Sequence, residues 1–151
     1  MPCETRVRDV GALGHDLRMD ITFLQPDGLV RSPAFSHAAV IPPGATTVYI
    51  GGQNGVDASG AVVSPDVGAQ ALRALDNARV ALESAGVTLD DVVSWTILIH
   101  QDADLRAAYG AVAATLARDG APPLVTAARV AGLGVPGTLI EVSAIAATVR
   151  D

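Results

Sequence analysis

The chain has 151 residues, half of them apolar, with one cysteine and a formal charge of −6. All ten basic residues are arginine, which excludes lysyl Schiff-base chemistry, pyridoxal-phosphate catalysis and the P-loop lysine. The acidic balance, with arginines scattered along the chain, argues against a nucleic-acid face, and no apolar run reaches the roughly 18 residues of a membrane span.

This length suits a single domain able to bury a core. The start, M-P-C-E-T-R-V-R-D-V, places charges where a signal peptide would be apolar. A soluble, cytoplasmic protein is expected. Cys3 alone makes neither an internal disulfide nor a cysteine-rich metal site and reads as a structureless thiol. Residues 1–22 read as an N-terminal extension and 23–151 as the folded domain.

In chain order, Pro26-Asp27-Gly28 signals a turn. A strand is expected over 35–41, closed by Pro42-Pro43-Gly44, and V-Y-I at 48–50 opens the next one. Asp57-Ala58-Ser59-Gly60 is a hairpin-type turn followed by a short strand, A-V-V. Ser64-Pro65-Asp66 reads as an N-cap, a proline at the first helical position and an acid in the first turn. The helix it starts aligns Leu72, Leu75, Ala78 and Leu82 and ends at Gly86. Residues 92–100 alternate, with Val93, Trp95, Ile97 and Ile99 on one side of a strand. A second helix from about Asp102 presents Leu105, Tyr109, Val112 and Leu116 and stops by Gly120. Strands follow at about 124–130 and 139–148. Two amphipathic helices covering one face of a single sheet give an α+β domain.

The stretch Y-I-G-G-Q-N-G at 49–55 invites comparison with a phosphate loop. It matches neither the P-loop nor the G-x-G-x-x-G spacing, and a turn and short strand follow it instead of a helix. Two readings remain: a strand end or bulge where backbones approach closely, or a pocket wall where a ligand meets bare backbone.

V-Y-I-G-G-Q-N-G-V-D, then A-Q-A-L-R-A-L-D-N, A-G-V-T-L-D-D-V-V-S-W-T-I-L-I and I-E-V-S-A-I-A resemble, in order, blocks of the Rid (YjgF) family, also called endoribonuclease L-PSP. The resemblance runs from about Phe23 to the C-terminus. It implies a chorismate-mutase-like fold of one mixed sheet with two helices on one face, and a homotrimer with small-molecule clefts between subunits. It also implies imine or enamine deamination without a metal or organic cofactor. In the deaminating members an arginine holds the substrate carboxylate, backbone at the glycine segment binds the nitrogen, and a glutamate orients water.

Carried over one residue at a time, the family's aromatic-serine pair falls on Phe35-Ser36, with phenylalanine for tyrosine. The glycine segment falls on Gly51, Gly52 and Gln53, and the catalytic glutamate on Glu141, one of three glutamates in the chain. Three positions depart: the family's asparagine is Tyr109, its arginine Val125 and its cysteine Ala127. Arg31 and Arg129 are the candidates to replace the lost cation. Arg129 shares a strand face with Val125 but stands about 13 Å along the strand. The expected ligand is therefore something other than 2-aminoacrylate, with a non-catalytic trimeric binding protein as the alternative. No histidine has metal-ligand spacing; His37 neighbours the Phe35-Ser36 pair, while His100 ends a strand. No serine sits in a G-x-S-x-G elbow.

Overall fold

The computed structural model of the chain describes residues 20–149. Cys3 and most of the expected extension, through residue 19, lie outside the described residues.

Two short strands, β1 (Thr22–Leu24) and β2 (Ala38–Val40), form an antiparallel ribbon with Phe23 opposite Ala39. The expected strand at 35–41 is thus shorter. Its first residues leave the ladder because Ser36 bonds elsewhere, its N–H donating to the Pro123 carbonyl. The ribbon is separate from the main sheet, which holds β3 (Thr46–Asn54), β4 (Val92–His100), β5 (Leu124–Val130) and β6 (Ile140–Thr148). Their order is β3-β6-β4-β5, antiparallel except for the parallel pair β4–β5. A parallel pair needs a crossover, and α2 (Leu105–Leu116) supplies it. The expected A-V-V strand is only a bridge, Val56 to Val62.

Helix α1 (Val67–Ser84) starts two residues later than the sequence implied. Asp66 is the N-cap and accepts from the Ala69 N–H, while Ser64 accepts from the Asp66 N–H and so sets up the cap. At the other end Gly86, at φ 77°, lets the Val87 N–H reach back to the Leu82 carbonyl. The buried stripe is Ala71, Ala74, Leu75, Ala78 and Leu82; the expected Leu72 is 47% exposed. Alanines on that stripe let α1 sit close to the sheet. A larger side chain there would hold it off.

The helices cover one face of the sheet, as expected. Ile140, Val142, Ala144 and Ala146 of β6 and Trp95 and Ile99 of β4 are buried under them. Gln70 is fully buried in α1 and fastens the sheet to it: its amide donates to the Ser64 and Gly137 carbonyls and its oxygen accepts from the Leu139 N–H. Gly55 lies against the Gln70 backbone, where a Cβ would come within 2.6 Å of the Gln70 Cα. No helix among the described residues is long and apolar enough to cross a membrane.

Candidate functional site

The glycines at 51 and 52 form a β-bulge. Ile50 pairs with Ala144 and Gln53 with Val142, so two glycines face the single residue Ser143. Of the two readings of this stretch, the bulge is the one seen here. Gly51 is open, with nothing within 4 Å of a Cβ built on it. Gly52 lies directly against Glu141, and a Cβ there would overlap the Glu141 carboxylate, 2.5 Å from its Cδ.

Glu141 is held from behind. It pairs across the ladder with Asn54, whose buried amide donates to the Ile140 carbonyl at 3.1 Å and to Glu141 Oε2 at 3.4 Å. Asn77 of α1 in turn donates to the carbonyls of Asn54 and Val56, fixing the strand beyond the bulge. The Gln53 amide donates to the Gly51 carbonyl. Glu141 Oε1 makes no hydrogen bond among the described residues and lies beside the bare Gly52 backbone. A carboxylate with one oxygen anchored and the other free can accept a proton from water and then pass it to a ligand nitrogen. Neither Asn54 nor Asn77 was singled out from sequence, although Asn54 is the N of G-G-Q-N-G and Asn77 ends the A-L-R-A-L-D-N block.

The remaining residues gather elsewhere. Val125 and Ala127 of β5 pair with Trp95 and Ile97 of β4, so they face the helices. Between that face and α2 lies a cavity of about 590 Å³, into which Phe35, Tyr109, Val125 and Ala127 all project. Ser36 stands behind Phe35. It is 3% exposed and donates its hydroxyl to the Pro122 carbonyl at 2.7 Å. It acts as a clamp tying the Phe35 segment to the start of β5.

Side chains alternate along a strand, and Val142 and Ala144 face the helices, so Glu141 and Ser143 face the other way. Within one chain, Gly52 and Glu141 form one group on the helix-free side. Phe35, Tyr109, Val125 and Ala127 form a second group on the helix side. The chain alone does not bring the two together.

The two arginines considered as anion anchors, Arg31 and Arg129, each have a partner within the chain. Arg31 pairs with Asp27 at 2.8 Å on the surface, and Arg129 donates to the Gln101 carbonyl at 2.7 Å. Arg118, not picked out from sequence, reaches the cavity wall. It donates to the carbonyls of Asp90, Val92 and Ala121 and lies over the Phe23 ring, 4.9 Å from its centroid. Burial pulls its pKa below the usual guanidinium value, opposed by nearby Asp90. His37 contacts the Val30 carbonyl through Nε2 and packs edge-on against Phe35, whereas His100 accepts from the Asp102 N–H. Among the described residues, no three His, Cys, Asp or Glu side chains cluster as metal ligands do.

The profile of one family, described as endoribonuclease L-PSP, matches residues 30–148. The chain belongs to this family. Solved structures of Rid/L-PSP proteins superpose on it. A Rid-family protein of unknown function from Yersinia pestis, YyfB, is 28% identical, with a TM-score of 0.73 over 86% of this chain and 100% of that one. The YjgF gene product of E. coli is 31% identical, with a TM-score of 0.60 over 70% of this chain and 81% of its own. Rv2704 of Mycobacterium tuberculosis, described as a member of the YjgF/YER057c/UK114 family, is 26% identical, with a TM-score of 0.57 over 85% and 100%. No curated protein matches the chain by sequence. The Rid/L-PSP fold seen here is the expected α+β arrangement of two helices on a mixed sheet.

Proposed function

We propose that this Rid/L-PSP protein hydrolyses the C=N bond of a small reactive imine, or of the imine tautomer of an enamine, in clefts between the subunits of a cytoplasmic homotrimer. The observation that carries the reading is the Glu141 carboxylate, anchored by Asn54 through one oxygen and set on the bare Gly52 backbone by the other.

Assembly completes the site. Tyr49, Leu98 and Ile145 share the helix-free face with Glu141 through the strand register, and Tyr49 is 74% exposed. An exposed apolar sheet face of this kind is a self-association surface. In a head-to-tail ring the helix-free face of one copy receives the β5 edge of its neighbour, and the Gly52–Glu141 group closes there against the neighbour's Phe35–Tyr109–Val125 group.

In the reaction, backbone at Gly51 and Gly52 orients the substrate nitrogen and Glu141 orients water toward the imine carbon. Water's oxygen bonds to that carbon, the C–N bond breaks, water's two protons pass to nitrogen, and the products are a carbonyl compound and ammonia. The protein contributes orientation and proton transfer to a step that already proceeds in water, so no metal or organic cofactor is required.

The test is to generate imines in situ with an oxidase and follow their disappearance in the presence of a carbonyl-trapping reagent. Accelerated hydrolysis by the native chain supports the proposal. A second reading, a non-catalytic binding protein, follows from the resemblance, which implies an anion-holding arginine where this chain has Val125. Saturable ligand binding without acceleration of any imine would select that reading.

A further inference from the structure

The cavity between α2 and β5 has a charge character that narrows the ligand. Its walls include Phe35, Leu105, Tyr109, Val112 and Val125, and the lone tryptophan, Trp95, forms part of its floor. Arg118 is the only cation among the lining residues, and its guanidinium is spent on three backbone carbonyls and the Phe23 ring. Arg129 is turned to the Gln101 carbonyl, and Arg106, exposed on the first turn of α2, is not part of the wall. A carboxylate entering this space would lose water without gaining a partner, which is strongly unfavourable. The chain's charge of −6 adds to the penalty for an anion. A volume of about 590 Å³ lies within the range of small-molecule sites.

From this we propose that the cavity receives the non-reacting part of an uncharged substrate: a carboxylate-free imine, or its carbonyl product, bearing a small branched or aromatic apolar group. The proposal rests on this cavity being half of the Rid-type cleft. It goes beyond that reading by specifying what the cleft selects. The Phe35 ring and the Val125 side chain are then specificity determinants, and Val125 sets the preference for neutral over anionic ligands.

Trp95 provides a readout independent of catalysis. The native chain is titrated with 4-methyl-2-pentanone and, separately, with 4-methyl-2-oxopentanoate, which share the same apolar group and differ by the carboxylate. Fluorescence of Trp95 and the ligand-induced change in melting temperature are followed. The ketone is expected to shift both signals and to bind at least about tenfold more tightly than the keto acid. Val125→Arg, at a half-exposed position, is expected to reverse the order. A parallel assay compares the imine formed by oxidising 3-methylbutan-1-amine with that formed from leucine.

Equal or tighter binding of the keto acid by the native chain overturns the proposal, including a salt-sensitive preference carried by Arg106. So does the absence of any Trp95 response to either probe, as when the cavity is filled by a neighbouring subunit. Ketone binding with no hydrolysis of either imine would leave the selectivity standing and remove the catalytic reading, so the two failures are distinguishable.

Discussion

The Glu141 carboxylate occupies the space that a side chain at Gly52 would take. A methyl group there would sit 2.5 Å from the Glu141 Cδ, while the neighbouring Gly51 is open. The obstacle at Gly52 is the end of a flexible side chain, so Gly52→Ala should displace the carboxylate and leave the sheet intact. The expected outcome is a melting temperature near the parent's with about 100-fold slower imine hydrolysis, the effect of misplacing a reacting group by about 1 Å. Gly51→Ala should leave the melting temperature unchanged.

Gly55 is different, because backbone meets backbone. A Cβ would approach the Gln70 Cα to 2.6 Å and its carbonyl oxygen to 2.8 Å. Neither can move without shifting α1. Gly55→Ala is expected to destabilise the fold by about 2 kcal/mol, the usual penalty for overpacking, read from chemical denaturation. Gln70→Leu should cost about 3 kcal/mol by leaving the Leu139 N–H and two carbonyls without their partner.

The two leucines assigned from sequence to one side of α1 should separate cleanly. Leu82 is fully buried and Leu72 is 47% exposed. Leu82→Ala is expected to cost about 3 kcal/mol and Leu72→Ala less than about 1 kcal/mol, both by denaturant titration.

That contrast shows where sequence was readable. Alternation over 92–100 set the buried side of β4, and the strands at 124–130 and 140–148 lie where their patterns placed them. The face of α1 was misjudged at Leu72 because periodicity favours bulky apolar residues, whereas the close approach of helix and sheet selected Ala71 and Ala74. Leu105 and Tyr109 have core spacing yet are exposed, since they border the cavity. The first strand escaped notice because three residues, Thr22–Leu24, carry no period; their partner, β2, lies fourteen or more residues away. The separation of the site into two groups was also hidden. Counting along β5 puts Val125, Ala127 and Arg129 together, but only pairing with Trp95, Ile97 and Ile99 shows which face they share.

Self-association makes its own prediction. Leu98 pairs with Glu141 and lies on the helix-free face with Tyr49 and Ile145. Light scattering of the native chain should give three times the monomer mass. Leu98→Asp should lower the mass to that of a monomer, because an unpaired charge in a buried interface is strongly unfavourable. A native monomer would leave the two halves of the site apart and contradict the assembled cleft.

The central claim is that Glu141 moves protons during C=N hydrolysis, and Glu141→Gln tests it most directly because the amide keeps the shape and the contact with Asn54. Imine hydrolysis should be measured by trapping competition at equal protein concentration, with the melting temperature and assembled mass of the variant matched to the parent's. The account predicts a rate lower by about 10²- to 10⁴-fold, the contribution of a positioned acid–base group. Hydrolysis by Glu141→Gln as fast as by the parent would contradict it.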